Sequence, residues 1–287
     1  MPRRLAFAIG LVVVLLTSGA GRTQELVHFA SLAQPSVELD GYLFRPPGEG
    51  RHPAIVFLHG CGGLLSRSAG TILQREQAWA AEFNRRGYVV LMVDSFRPRG
   101  IEQMCAPATY NESVAAQRPK DAYAALGYLQ AQPFIRGDRI GVIGWSQGGG
   151  TVLWTIPAQG LGRPAALPQG DFRAAVAFYP ALCNDRRQPA GWTTSIPLLV
   201  LTGAADVWTP LAPCQSFLQS AASRGAPVEL QAYPGAYHDF DSPNQPLREY
   251  PQYRMTNGVV PILATDPAAR ADAFARVPAF LARYLEN

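Results

Sequence analysis

Gly144-Trp145-Ser146-Gln147-Gly148 sets a serine between two glycines, each two residues away. The run Arg139 to Ile143 precedes it, and Gly149, Gly150 and a helix-compatible segment, Thr151 to Ile156, follow. Strand, tight turn and helix form the context in which a G-x-S-x-G serine is held in a strained backbone, with its hydroxyl exposed at the strand end. Neighbours two residues to either side must then be nearly free of side chain, which glycine satisfies. The chemistry such a serine does is nucleophilic attack, and it needs a base near neutral pKa to take its proton.

Histidine is the side chain that titrates there, and the chain has four. His28 lies in the first expected strand, and His52 precedes a strand, at the opposite end of the sheet from the serine. His59 opens a glycine-rich loop. His238 follows the last expected strand and is the candidate base. An imidazole needs a carboxylate to fix its tautomer, and Asp206 ends the strand before His238. Asp239 and Asp241 are rivals in sequence, but a residue beside His238 would have to fold back on it. Asp94 also ends a strand and reads as a loop-ordering or pocket residue.

A tetrahedral intermediate needs preorganised donors for its oxygen. One candidate is the backbone N–H of Gln147, and the other is Cys61 N–H in His59-Gly60-Cys61-Gly62-Gly63, with Gly62 as the second choice. Cys61 as nucleophile is a rival reading, but it lacks the glycine-flanked turn. Trp145, Phe96, Tyr179 and Trp208 fall on the same expected loops and could line an apolar pocket or simply pack around the turn.

These residues need a scaffold that carries them to one edge. Strands are expected at Leu26 to Leu32, Val37 to Phe44, Ala54 to Leu58, Tyr88 to Val93, Ile140 to Ile143, Ala174 to Phe178, Pro197 to Leu201 and Val228 to Ala232. Asp40-Gly41 reads as a hairpin bend within the second. Helices are expected from Ile72 to Phe83, Lys120 to Gln130, near Cys214 to Ser223, and Pro267 to Leu285. Such alternation gives an α/β fold, a mostly parallel central sheet with helices on both faces. Chemistry in such sheets collects at the carboxyl ends of the strands, where Ser146, Asp206, His238, His59 and Asp94 all fall. Residues 241 to 262 have no clear periodicity and could cover the site.

Composition narrows the class. Apolar content of 48% with 16% charged residues points to a globular chain. Arg3 and Arg4 followed by apolar Leu5 to Leu16 and Ser18-Gly19-Ala20 read as a signal peptide over residues 1–20, with an uncleaved anchor as the alternative. Residues 21–287 then form a single domain, periplasmic or secreted, with no stable membrane insertion after cleavage. Without Arg3 and Arg4, 23 basic residues face 21 acidic ones, a balance of +2 that is too weak and scattered for nucleic-acid binding. No metal-ligand spacing and no phosphate-cradling glycine motif occurs, so no metal or other cofactor is expected. Oligomeric state is not legible. In an oxidising compartment the four cysteines are candidates for bridges. Of three possible pairings, Cys61–Cys105 and Cys183–Cys214 are favoured, because each would join loops at the ends of adjacent strands. Buried free thiols are the alternative.

The glycine-flanked serine, His59-Gly60-Cys61-Gly62-Gly63, Asp206 in Gly203-Ala204-Ala205-Asp206 and His238 in Tyr237-His238-Asp239-Phe240 together resemble the dienelactone hydrolase family of α/β-hydrolases, from about residue 37 to the end. The order Ser146, Asp206, His238 is the chain order of that superfamily's triad. The resemblance implies this triad, with Cys61 N–H serving the oxyanion. Departures are plain. Family members of the dienelactone-cleaving type use a cysteine nucleophile where this chain has Ser146. They carry a glutamate where this chain has Gly60. They hold a substrate carboxylate with two arginines; Arg97 or Arg99 could serve as one, and Asp239 to Ser242 occupy the other's place. The expected function is a serine hydrolase of small-molecule carboxylic esters or lactones, working through an acyl-enzyme. The alternatives are a prolyl oligopeptidase-like serine peptidase, which would usually bring a large extra domain, and a catalytically silent α/β-hydrolase-fold binding protein.

Overall fold

The computed structural model describes residues 24–286; the signal-peptide reading of residues 1–20 lies outside them. Five of the eight expected strands are continuous apolar runs, which suit burial on both faces. The sheet is built from β1 (Gln24–Ala30), β2 (Glu38–Phe44), β3 (His52–Leu58), β4 (Val89–Asp94), β5 (Ile135–Trp145), β6 (Ala174–Phe178), β7 (Leu198–Gly203) and β8 (Val228–Tyr233). They lie in the order β1-β2-β4-β3-β5-β6-β7-β8. β2 pairs antiparallel with both β1 and β4, and every pairing from β4 to β8 is parallel. The helices are α1 (Gln74–Arg85), α2 (Glu112–Gln130), α3 (Gln147–Thr155), α4 (Leu211–Ser223) and α5 (Pro267–Leu285).

Side-chain alternation along each strand divides the core in two. Ala54, Val56 and Leu58 of β3 pack with α2, α3 and α4 on one face. Ile55 and Phe57 pack with α1 and α5 on the other. Trp145, at the end of β5, takes the α1/α5 side and stacks on Phe178 at 5.4 Å. Its serine neighbour is thereby left at the turn.

Two expectations are corrected. Asp40 and Gly41 do not bend the chain but lie in mid-strand, with Gly41 paired to Val27 on one side and Val93 on the other. A Cβ at Gly41 would sit 2.8 Å from Phe29 and 2.9 Å from Leu91, so glycine serves close packing there. Helix α2 begins eight residues before Lys120. Its N-terminus is capped by Asn111, whose side chain accepts from Val114 N–H, and Pro119 sits inside it. A small second sheet follows β8: β9 (Arg248–Glu249) and β10 (Ile262–Leu263) pair antiparallel. A backbone bridge between His238 and Leu263 ties this flap to the chain beside it.

Candidate active site

The turn from β5 into α3 holds Ser146 at φ 52° and ψ −113°, a region that non-glycine residues occupy only when their surroundings compel it. The compulsion is visible. Ser146 N–H donates to Phe178 C=O at 2.9 Å, and its own carbonyl accepts from Gly150 and Ala181 N–H, each at 2.9 Å. A Cβ at Gly144 would lie 2.1 Å from the Gly148 carbonyl oxygen, and one at Gly148 would lie 2.0 Å from that of Leu58. Both glycines are therefore dictated by backbone crowding. Gln147 is the first residue of α3, where N–H groups have no partner within the helix. Ser146, Gln147 and Cys61 line one cavity of about 400 Å³, within the range of small-molecule sites.

Asp206 sits in the turn after β7. Its Oδ1 accepts from Trp208 N–H at 2.8 Å and Thr209 N–H at 3.0 Å; its Oδ2 accepts from the Thr209 hydroxyl at 2.7 Å. The same Oδ2 lies 2.7 Å from His238 Nδ1. An ionised carboxylate only accepts, so Nδ1 carries the proton and the neutral ring presents Nε2 as a base. Burial alone would raise the Asp206 carboxyl, but His238 and the Thr209 donors outweigh it and hold it below the usual carboxylate range. Gly203 lets the two turns approach: a Cβ there would meet the Ala236 carbonyl oxygen at 2.2 Å. The imidazole is nearly fully buried, with the Tyr179 ring 4.5 Å away and the Trp208 ring 4.8 Å away. Ser146 Oγ hydrogen-bonds to no described residue, including the His238 ring.

The rival carboxylates are occupied elsewhere. Asp241 accepts from Trp79 Nε1 at 2.7 Å, Trp145 Nε1 at 2.8 Å and the Tyr179 hydroxyl at 2.6 Å. Asp239 pairs with Arg75 and accepts from the Tyr179 hydroxyl at 3.0 Å. Asp94 orders its loop by accepting from Phe96 and Arg97 N–H at 2.9 and 3.1 Å. His59 is buried; its Nδ1 lies 2.7 Å from the Gly60 carbonyl oxygen, and its Nε2 accepts from Ser95 N–H at 3.2 Å.

Of the aromatic pocket candidates, Trp208 lines the cavity. Trp145, Phe96 and Tyr179 are fully buried; Phe96 packs edge-on against His59, and the other two feed the Asp241 network. Arg97 is exposed outside the cavity, and Arg99 is spent on Asp121, with bonds of 2.8 and 2.9 Å. The arginine on the cavity is instead Arg187, and none of the lining residues is acidic. Met255 and Thr256 of the β9–β10 flap form part of the wall, and Tyr253 of the flap stacks on Trp208 at 5.7 Å. No spacing signal marked Arg187 or Met255, because both come from irregular segments.

Both disulfides join the pairs favoured from sequence. Cys61, Cys105 and Cys183 all lie on the cavity wall. Cys61 C=O also accepts from Met104 N–H at 2.8 Å, so its loop is fixed to the 101–105 segment twice. Among the described residues, no helix is long and apolar enough to cross a membrane.

A model of the dienelactone hydrolase family matches residues 39–285. A Bradyrhizobium protein described as "Probable 2-oxo-3-(5-oxofuran-2-ylidene)propanoate lactonase" is 26% identical over 211 residues, covering 69% of this chain and 77% of that one. Among solved structures, a dienelactone hydrolase-like promiscuous phosphotriesterase from metagenomic libraries matches at TM-score 0.66 and 18% identity, over 91% of this chain and 98% of that one. Esterase 2 of Thermogutta terrifontis, phosphoramylated by tabun, matches at TM-score 0.64 and 18% identity, over 91% and 94%.

Proposed function

This chain belongs to the dienelactone hydrolase family, and from that premise we propose that it is an exported serine hydrolase cleaving small carboxylic esters or lactones through an acyl-enzyme. The observation that carries the reading is the meeting of Ser146, Gln147 and Cys61 on one cavity, beside the 2.7 Å pair of His238 and Asp206.

In this reading His238 Nε2 takes the Ser146 proton as Oγ attacks the ester carbonyl carbon. Asp206 holds the ring's tautomer and stabilises the imidazolium. The Gln147 and Cys61 N–H groups receive the oxyanion. The intermediate collapses, the imidazolium protonates the departing alkoxide, and water activated by the same imidazole releases the acid. The lactonase name of the Bradyrhizobium relative supports lactones within the substrate range. A cavity without acidic lining residues suits neutral or anionic substrates. The serine nucleophile and Gly60 depart from the dienelactone-cleaving type, so the scaffold carries over further than that substrate does.

Export rests on the signal-like residues 1–20 and is supported by the two disulfides. Residues 21–287 act as one domain in this reading. Turnover of p-nitrophenyl acetate by the purified protein, and its loss in Ser146→Ala with the fold retained, is the expected result. Wild-type turnover in Ser146→Ala would remove the serine from its role. A protein that never turns over esters and never reacts with a fluorophosphonate would be the silent binder instead.

A further inference from the structure

Arg118, on α2, is fully buried, and a buried cation normally has a carboxylate beside it. Among the described residues none stands within ion-pairing distance. The carboxylate one helical turn on, Asp121, is already bonded by both Arg99 nitrogens and by the Ser31 hydroxyl at 2.5 Å. Two of the guanidinium nitrogens donate elsewhere, while Nε has no partner among the described residues. Nη1 donates to Gln147 Oε1 at 2.9 Å, and Nη2 donates to the His59 carbonyl oxygen at 2.5 Å. Its Cζ also lies over the Phe96 ring, 5.0 Å from the centroid, and Phe96 packs on His59. The two acceptors belong to the two chain segments that bear the oxyanion donors. Gln147 supplies one N–H itself, and His59 stands two residues before Cys61.

We propose that Arg118 is a positioning residue for the oxyanion site: it clamps the nucleophile turn to the His59–Gly63 loop and sets a positive charge behind both donors. The inference rests on the serine-hydrolase reading above. Burial lowers the Arg118 pKa to about 10, so the charge is present at neutral pH. Asp121 and Asp94 offset that charge only from a distance and no carboxylate touches the guanidinium, which fits a site where negative charge appears only in the transition state. A carboxylate in direct contact would have cancelled much more of that field in advance. The Cys61–Cys105 bridge restrains the same loop further along.

The test compares wild type, Arg118→Met, Arg118→Lys and Gln147→Glu on p-nitrophenyl acetate, with kcat and KM separated. It adds inhibition by an alkyl trifluoromethyl ketone, whose serine adduct mimics the oxyanion. Removing a direct oxyanion donor costs about 100- to 1,000-fold. Arg118→Met is expected to lower kcat by about 10- to 100-fold, with KM within about threefold. The ketone Ki should rise by the factor that kcat/KM falls, and Arg118→Lys should recover part of the loss. Gln147→Glu keeps an acceptor for the guanidinium but cancels its charge, and should lower kcat at least about tenfold without lowering Tm. It decides the matter if Arg118→Met fails to fold. Wild-type kcat and Ki in folded Arg118→Met, or wild-type kcat in Gln147→Glu, overturns the proposal. Ser146→Ala is run alongside. If it stays active, the serine-hydrolase reading fails; if it is dead while the Arg118 and Gln147 variants are normal, only this inference fails.

Discussion

Asp206 Oδ2 lies 2.7 Å from His238 Nδ1, although the two residues are 32 apart in the chain and sit in separate strand-end turns. The contact fixes the ring's proton on Nδ1. Asp206→Asn is expected to keep the fold while its amide favours the wrong tautomer. A loss in kcat on the order of 1,000- to 10,000-fold, with little change in KM, is the expected outcome of steady-state kinetics. A kcat within tenfold of wild type would assign the orienting role to another group.

The turn around Ser146 has no space for side chains at its flanks. Gly144→Ala and Gly148→Ala place a Cβ far inside van der Waals contact, at 2.1 and 2.0 Å from carbonyl oxygens. Each is expected to destabilise the protein by ~3 kcal/mol or more and to abolish activity. Urea melts of the two variants check this. Either one folding with wild-type stability would show that the turn can relax.

His59 predicts a pH dependence of stability. Burial, reinforced by the nearby Arg118 charge, holds its pKa well below 6.5 in the folded protein. A proton on Nε2 would also confront the Ser95 N–H that donates there. The unfolded chain binds that proton below pH 6.5 and the folded protein does not. Stability is therefore full above pH 6.5 and falls as pH is lowered, by about 1.4 kcal/mol per pH unit. His59→Gln should show a shallower slope between pH 6.5 and about 5 in denaturant titrations. Identical slopes would mean that His59 takes its proton in the folded state.

The Cys61–Cys105 bridge encloses 44 residues of sequence separation and holds the proposed oxyanion loop. Paired Cys61→Ser and Cys105→Ser substitutions are expected to cost ~3 kcal/mol in stability and about tenfold in kcat. Dithiothreitol should lower activity of the wild type at temperatures where circular dichroism still reports a folded protein. Full activity of the reduced, folded protein would separate the bridge from the oxyanion loop.

How much of this was legible in sequence depends on what each residue answers to. Helix α5 was readable to its ends because Asp266 caps it, Pro267 opens it and its apolar spacing is regular. Asp40-Gly41 looked like a bend because a glycine that admits two neighbouring strands' side chains has the same sequence signature as a turn. The proposed trio of Ser146, Asp206 and His238 stood out because each member follows a strand. Trp145, Tyr179 and Phe96 misled as pocket residues for a related reason. A strand end places an aromatic near the site without saying which face it takes, and all three turned inward. Arg75 and Arg118 gave no signal at all. An arginine is ordinarily a surface residue, and only the partners that surround it in space reveal it as buried.

The most direct test of the account is the address of a covalent label. Protein treated with a fluorophosphonate and digested should carry the adduct on the peptide at Ser146. The adduct should be absent in Ser146→Ala and form far more slowly in His238→Ala. Labelling that persists unchanged in Ser146→Ala, or that maps to another residue, would contradict the claim that this hydroxyl is the nucleophile.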